Sequence, residues 1–298
     1  MTEQNTGKGI WLMILTTAIF AIQDGLSRHL SGEYNVFMII TIRYWVFAAI
    51  VIVWSTRRAG GFRAAAATGQ PWLQGFRGVL LAVEICTLVA AFVILGLIES
   101  HAVFACYPLV IAALSGPVLG ERVGWRRWTA ICIGFVGILV ILQPGIAVFS
   151  PAALIPMAGA LMFALYSLLT RYAARQDSSA TSFFWIAWVG ALVLTPAGLW
   201  SWEPMRSEDL IWLVLLCIFA PLGHYCLILC YEVAEASAVQ PFAYLQLIFA
   251  TGIGLVVFGE SLEANVAIGA AIVVSAGVFT LLRERRVKTA LPATRHGR

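Results

Sequence analysis

The chain has 298 residues, of which 61% are hydrophobic and 11% charged, and its formal net charge is +4. Soluble domains average roughly 45–50% apolar and 25% charged residues, so this composition excludes a soluble globular protein and a disordered one. The positive charge comes from loops and the C-terminal region, which indicates membrane topology and predicts no nucleic-acid partner. The sequence therefore predicts an all-α integral membrane protein.

Apolar segments of about 20 residues, enough to cross the hydrocarbon core, recur along the chain. The sequence predicts ten of them, near residues 9–30, 35–55, 75–97, 101–120, 128–143, 152–173, 181–201, 209–231, 237–258 and 264–282. The fifth is the shortest, and several contain proline or glycine. We expect each to form a transmembrane helix.

Two stretches of the sequence resemble one another across the two halves of the chain. Residues 97–103 read LIESHAV and precede an apolar run that ends in Gly120-Glu121. Residues 233–239 read VAEASAV and precede an apolar run that ends in Gly259-Glu260. Arginines surround the first Gly-Glu pair but not the second, so the two pairs are expected on opposite sides of the membrane.

The repeat extends to the first helix of each half. Residues 20–28 align with residues 163–171, and Trp45 and Trp188 follow at the same spacing. We therefore predict two inverted five-helix repeats, at 1–145 and 150–285, followed by a basic cytoplasmic tail at 286–298. Inverted repeats are typical of secondary transporters.

Lys and Arg in short loops mark the cytoplasmic side of a membrane protein. With the N-terminus inside, sixteen basic residues fall on the cytoplasmic side and two, Arg28 and Arg206, on the outer side. The prediction is a multi-pass protein of the bacterial inner membrane with both termini in the cytoplasm. Because each repeat has an odd number of helices, the two halves must be antiparallel.

Ten helices, two inverted halves and Gly-Glu at the ends of helices four and nine resemble the drug/metabolite transporter superfamily. Within it, the chain is most similar to the EamA-type exporters, which include the YddG-type amino-acid exporters, over residues 8–283. The resemblance implies a central cavity lined by helices one, three, four, six, eight and nine. It also implies that helices five and ten are peripheral and that the activity is efflux of small metabolites.

A charged residue near the bilayer centre costs about 2.5–3.5 kcal/mol, so it normally faces a cavity or a partner. Glu84 lies about ten residues into the third segment, roughly 15 Å from its cytoplasmic end at 1.5 Å per residue. Two interpretations stay open for Glu84. It is either a cavity carboxylate that meets a substrate amine or a proton, or a neutral acid bonded to a neighbouring helix.

Asp24 and Arg43 lie at similar depth in the first two segments, and we predict a structural ion pair between them. Asp24 could instead meet Arg28, one helical turn further along. Gln23, beside Asp24, aligns with Tyr166 in the second half. Matched polar positions across a pseudo-two-fold axis are where midplane substrate sites form.

Further polar residues lie inside the apolar segments. His224, deep in the eighth segment, either relays protons or bonds a neighbouring carbonyl. Tyr107 and Tyr244 are deep enough to line a cavity, and Gln240 shares a helix face with Tyr244. His101, at a segment boundary, is expected at the membrane interface. The predicted substrate-binding residues are Gln23, Glu84, Tyr107, Tyr166, His224, Gln240 and Tyr244.

Small residues at four-residue spacing mark the fifth segment, at Ala130 and Gly134, and the tenth, at Ala267, Ala271 and Ser275. Such faces let helix backbones approach closely. Packing within a monomer is the default interpretation, and a homodimer through helices five and ten is the alternative.

The sequence carries no motif of a metal site, a cofactor site or an enzyme. Its six cysteines lie in apolar segments without zinc-ligand spacing, so neither a metal nor a cofactor is expected. Hydrolase and metalloprotease motifs are absent. An intramembrane enzyme or a sensor is the competing class. The inverted repeat favours a transporter that works by alternating access.

The substrate prediction combines residue chemistry with the resemblance. A carboxylate, a histidine, glutamines and tyrosines suit a zwitterion, and together with the resemblance they predict export of amino acids across the bilayer. Efflux of cationic or aromatic drugs is the alternative, because Glu84 and aromatic faces could hold a quaternary ammonium. Phosphorylated cargo is disfavoured, since Arg43 is the only basic residue deep enough to bind phosphate.

Overall fold

A computed structural model describes residues 5–59, 61–120, 125–142 and 151–276. In that part of the chain all regular structure is helical. The helices are α1 (Thr6–Glu33), α2 (Val36–Ala59), α3 (Phe62–Ala65), α4 (Pro71–Leu95), α5 (Leu97–Phe104), α6 (Tyr107–Leu119), α7 (Trp125–Leu142), α8 (Leu154–Ala173), α9 (Ser179–Trp200), α10 (Leu210–Val233), α11 (Ala236–Ala243), α12 (Leu245–Val257) and α13 (Ala264–Ala276).

Within the described ranges, eight helical stretches are long and apolar enough to cross a membrane. They are α1, α2, α4, α5 with α6, α8, α9, α10 and α11 with α12. The fifth and tenth predicted segments correspond to shorter apolar helices, Ile131–Ile141 within α7 and α13. A multi-pass helical membrane protein is therefore confirmed, while ten spans and their inversion stay predictions.

Several predicted features lie outside the described residues. These are Glu121 and Arg122, the link at 143–145, and the basic tail at 286–298. The side chain of Ala130, in the small-residue pattern of the fifth segment, also lies outside them.

The fourth and ninth segments are both broken helices. The fourth consists of α5 with 8 residues and α6 with 13, and the ninth consists of α11 with 8 residues and α12 with 13. Pro108 stands in the first turn of α6, a place that tolerates proline because no helical partner awaits its N–H. Discontinuous spans at corresponding places in two halves are a feature of transporter binding sites.

Glycines bring α2 and α9 into close contact. A Cβ atom at Gly190 would lie 2.1 Å from Cε1 of Tyr44, and one at Gly198 would lie 2.1 Å from Oγ1 of Thr41. Any larger residue at either position would therefore push α9 away from α2. This contact fixes the helix that carries Arg43.

The peripheral helices α7 and α13 pack against each other within one chain. A Cβ atom at Gly137 would lie 2.8 Å from the carbonyl oxygen of Gly269, and Gly134 packs against Leu109. These contacts agree with the default interpretation of the small-residue faces. A homodimer through these helices stays a prediction.

Candidate functional site

A cavity of about 30 Å³ lies between α1, α2, α4, α5, α8, α10 and α12. These include the six helices that the resemblance implied, with α2 in addition. The volume is close to that of one water molecule, so the side chains close tightly around the site in this conformation. The polar lining residues are Gln23, Asp24, Arg43, Glu84, His224 and Gln246, and the apolar ones are Phe20, Ile85, Leu88, Val89, Phe92, Phe104 and Phe163.

The Asp24 carboxylate has polar contacts on three helices. Gln246 Nε2 on α12 donates to Oδ2 at 3.0 Å, and Gln23 Nε2 donates to Oδ1 at 3.2 Å. Nε2 of His101 on α5 lies 3.2 Å from Oδ2. His101 is 2% exposed, so its ring is buried among the helices. Its place at the membrane interface stays a prediction.

The structure does not bring Asp24 and Arg43 together as an ion pair. Among the described residues Arg43 has one polar contact, Nη2 to His224 Nε2 at 3.4 Å. The alternative pair of Asp24 with Arg28 is not formed either, because Arg28 pairs with Glu260 at 2.8 Å. Depth alone suggested the predicted pair, but the direction in which each side chain points depends on helix packing. In the fold α1 packs mainly on α10 and α2 on α9.

Glu84 and Arg43 are each 2% exposed and line the same cavity. Neither forms an ion pair with another described residue, and Glu84 also lacks a hydrogen bond within that part of the chain. Buried charges are normally paired, because an uncompensated charge in a low dielectric is unfavourable. A positive and a negative group are thus both available to a bound molecule.

The remaining predicted residues lie around this centre. Tyr107 and Tyr244 line a second cavity of about 10 Å³, together with His101 and Gln246. The ring centroid of Tyr166 lies 6.4 Å from that of His224, behind the cavity wall.

Gln240 lines neither cavity and donates to the hydroxyl of Tyr231 at 3.0 Å. Its predicted place in the binding site is therefore not matched by its contacts.

Sequence reasoning missed two polar residues, His101 and Gln246, and the phenylalanines of the lining. Gln246 had a signal, since it is a polar residue within the apolar run of the ninth segment. The phenylalanines had none, because the chain contains 17 of them and most membrane helices present such residues to lipid or to neighbouring helices.

One helical turn beyond Asp24 on α1 lies a set of contacts that we call the Glu260 cluster: the side chains of Arg28 and Glu260 and the backbone of Leu97 and Ile98. The amides of Leu97 and Ile98, at the start of α5, each donate to the Glu260 carboxylate at 2.8 Å. Gly96 precedes them with φ of 85°, a conformation that favours glycine. Arg28 adds its 2.8 Å ion pair, so one carboxylate joins α1, α5 and the end of α12.

A second polar network lies near the other end of α4, around the fully buried Arg77. Arg77 donates to Gln74 Oε1 and, at 2.9 Å, to Thr170 Oγ1 on α8. Gln74 and Thr68 in turn donate to Asp177 at 2.7 and 2.6 Å. The network joins α4 to α8 and does not line the cavity.

In the described part of the chain, no group of three or more His, Cys, Asp or Glu residues is arranged to hold a metal ion. The lining of the cavity combines charged, polar and aromatic side chains. A model of the EamA-like transporter family matches the chain twice, at residues 7–143 and 150–282. The chain belongs to the EamA-like transporter family.

Curated relatives carry transporter names. The chain is 25% identical to the S-adenosylmethionine uptake transporter of Rickettsia prowazekii, over 93% of this chain and 94% of the relative. It is 29% identical to the riboflavin transporter of Rhizobium johnstonii, over 93% and 91%, and 28% identical to that of Vibrio cholerae, over 91% of each. These relatives and the family confirm the predicted class, a multi-pass membrane transporter and not an enzyme.

A crystal structure with 20% sequence identity superposes with a TM-score of 0.66, covering 95% of this chain and 98% of the other. This similarity establishes a shared fold. It carries no information about the substrate.

Proposed function

We propose that this protein is a secondary transporter of an amino acid or an amino-acid derivative, working by alternating access in the bacterial inner membrane. The observation that carries the proposal is the presence of Arg43 and Glu84 in one cavity without ion-pair partners among the described residues. A guanidinium binds a carboxylate through two parallel hydrogen bonds. A buried carboxylate attracts an ammonium group, and an α-amino acid head group offers both ions.

The apolar lining suits the rest of such a substrate. Phe20, Phe92, Phe104 and Phe163 border the cavity, and aromatic rings in a binding site favour flat or apolar groups. S-adenosylmethionine combines an amino-acid head group with a flat adenine ring. The named activity of the Rickettsia relatives therefore makes it the first substrate to test.

Two other substrate classes match the cavity less well. Riboflavin, which the named relatives from two other bacteria transport, fits the phenylalanine lining but has neither a carboxylate nor an amine for Arg43 and Glu84. Cationic drugs fit Glu84 but not a neighbouring guanidinium. The amino-acid class is favoured because it uses both buried charges.

The test is counterflow in proteoliposomes with labelled S-adenosylmethionine, methionine and riboflavin, with the product checked for chemical change. In Arg43→Gln, we expect transport of a substrate with a free carboxylate to fall about 10- to 100-fold, from the loss of a charged hydrogen bond. Methionine amide lacks the carboxylate, so its rate of transport should be nearly the same in Arg43→Gln as in wild type. Equal losses for the acid and the amide would contradict a carboxylate contact at Arg43.

We propose that alternating access uses two inverted five-helix repeats, at 1–145 and 150–285. Two matches to one family model and the equal lengths of the two broken helices support this architecture. In a cysteine-free background, Ser261→Cys should react with an impermeant thiol reagent added outside the cell, and Gln176→Cys should not. Reaction of both from one side would contradict the inversion and the cytoplasmic placement of the termini.

The direction of transport is a separate proposal. We propose export, which the family resemblance implies, although the Rickettsia relatives are named uptake transporters. Alternating access runs in either direction, so whole cells decide between them. Faster loss of preloaded label from expressing cells supports export, and accumulation of external label supports import.

A further inference from the structure

Two glutamine side chains, Gln23 on α1 and Gln246 on α12, share Asp24 as their hydrogen-bond partner. Nε2 of Gln23 lies 3.2 Å from Oδ1 of Asp24, and Nε2 of Gln246 lies 3.0 Å from Oδ2. Each amide thus bonds its own oxygen of one carboxylate. Because a carboxylate oxygen accepts hydrogen bonds and an amide donates only through its NH2 group, Asp24 orients both amides with their nitrogens toward it.

The carbonyl oxygens of the same two amides have no use within the fold. Oε1 of Gln23 and Oε1 of Gln246 are buried and have no hydrogen bond among the residues that the structure describes. The two residues are 6% and 4% exposed, and both line the cavity that Glu84 also lines. A buried acceptor without a donor is unfavourable. Both oxygens are therefore available to a donor on a bound molecule.

Hydrogen-bond acceptors and donors come from different helices around this cavity. The acceptors are the two amide oxygens on α1 and α12 and the carboxylate of Glu84 on α4. Arg43 on α2 also lines the cavity, and a guanidinium can only donate. A primary ammonium group has three N–H donors and is about as large as a water molecule, which matches the cavity volume of about 30 Å³. A methylated nitrogen has fewer donors and is larger.

We propose that Gln23, Gln246 and Glu84 form an ammonium cradle, in which each side chain accepts one N–H of the substrate's amino group. The protein would then select primary ammonium groups over methylated ones, and Asp24 would be a positioning residue that holds the two amide oxygens in place. The inference rests on the proposed function and specifies its substrate class. A site built to bond an N–H rejects an analogue without it, because a buried acceptor is then left unpaired.

The experiment compares counterflow of two isomers by the full chain in proteoliposomes. N-methylmethionine and α-methylmethionine carry the same additional methyl group, but only the first has lost an N–H. In wild type we expect N-methylmethionine to be transported about tenfold more slowly than its isomer, the effect of one lost hydrogen bond to a charged group. N,N-dimethylmethionine should be slower again. If S-adenosylmethionine is the better substrate, its N-methyl and α-methyl derivatives are compared in the same way.

Gln246→Met removes one acceptor of the cradle and keeps the length of the side chain. One N–H of a primary ammonium group then has no partner, so the first N-methyl group should cost little and the rates of the two isomers should become nearly equal. Gln240→Met is the matched control. Oε1 of Gln240 also lacks a partner among the described residues, but Gln240 lines neither cavity, so the wild-type ratio of the two rates should persist.

Asp24→Asn tests how the cradle is held, and it replaces Gln246→Met if that variant does not fold. The NH2 group of an asparagine would bond one glutamine oxygen and turn it away from the cavity. The ratio of the two isomer rates should therefore fall toward one in this variant as well. A residue that only stabilised the fold would lower both rates together and leave their ratio unchanged.

Two results would overturn the ammonium cradle. Equal slowing of N-methylmethionine and α-methylmethionine in wild type would make added bulk the cause of the loss. A wild-type ratio of the two rates in folded Gln246→Met or folded Asp24→Asn would make the glutamines partners of Asp24 alone. Counterflow of neither methionine nor S-adenosylmethionine by the wild-type protein would contradict the proposed function instead.

Discussion

Glu84 in the cavity and Glu260 in the Glu260 cluster are two carboxylates with contrasting surroundings. Glu260 receives two backbone amides and an arginine, all at 2.8 Å, and joins three helices. Glu84 is 2% exposed and has neither a hydrogen bond nor an ion pair within the described residues. The difference teaches that a satisfied carboxylate stabilises the fold, whereas an unsatisfied one is available to a ligand.

The largest effect is expected at Glu260. Glu260→Ala leaves Arg28 and two amides of the first turn of α5 without their acceptor, so the folded state should lose about 3 kcal/mol. The measurement is thermal unfolding of the purified protein in detergent. Glu263→Gln, three residues further on and exposed, is the control and should unfold at nearly the wild-type temperature. An unchanged unfolding temperature for Glu260→Ala would show that the cluster is dispensable for stability.

Arg77 and Arg43 are two buried cations that can be compared in the same way, because Arg77 has several hydrogen-bond partners and Arg43 has one polar contact among the described residues. Arg77→Gln removes the bonds to Gln74 and Thr170, so we expect about 2 kcal/mol of stability to be lost, in the range of one charged hydrogen bond. The variant should fold less well, but its relative rates for acid and amide substrates should match wild type. Arg43→Gln should instead fold nearly as well as wild type but change the relative rates for acid and amide substrates. A change of substrate preference in Arg77→Gln would place that residue in the binding site.

The smallest effect on stability is expected at Glu84. Glu84→Gln keeps the size of the side chain and removes a buried charge that no described partner stabilises, so the folded state should be at least as stable as in wild type. Transport should nevertheless fall about tenfold or more, since an ammonium group loses its counter-ion. Normal transport by the well-folded variant would make Glu84 a neutral structural acid, the alternative that its sequence position left open.

The sequence predicted the positions of the helices from its apolar runs, and eight of these form helical stretches long enough to span a bilayer in the described residues. It also predicted that Glu84 and His224 lie deep in the protein, since depth follows from counting residues along a segment. It could not predict which way Arg43 points. That direction depends on the contact of Gly190 with Tyr44, which sets how α2 faces its neighbours.

The sequence could not predict the partners of Asp24, for a related reason. His101 and Gln246 meet Asp24 only because the broken fourth and ninth segments bring α5 and α12 to the same side of α1. Proline positions hinted at the breaks. The rotation of each half-helix after its break is set by tertiary packing, for which no single-sequence pattern exists.

The contact between Arg43 and His224 has a consequence for biosynthesis, since 181 positions separate the two residues. The ribosome delivers α2 to the translocon long before it has made α10. A lone arginine at the centre of a helix weakens insertion by about 2.5–3.5 kcal/mol. A nascent chain that stops before α10 should therefore hold α2 loosely in the bilayer and be degraded quickly by membrane proteases, so the lifetime of the first half depends on completion of the second.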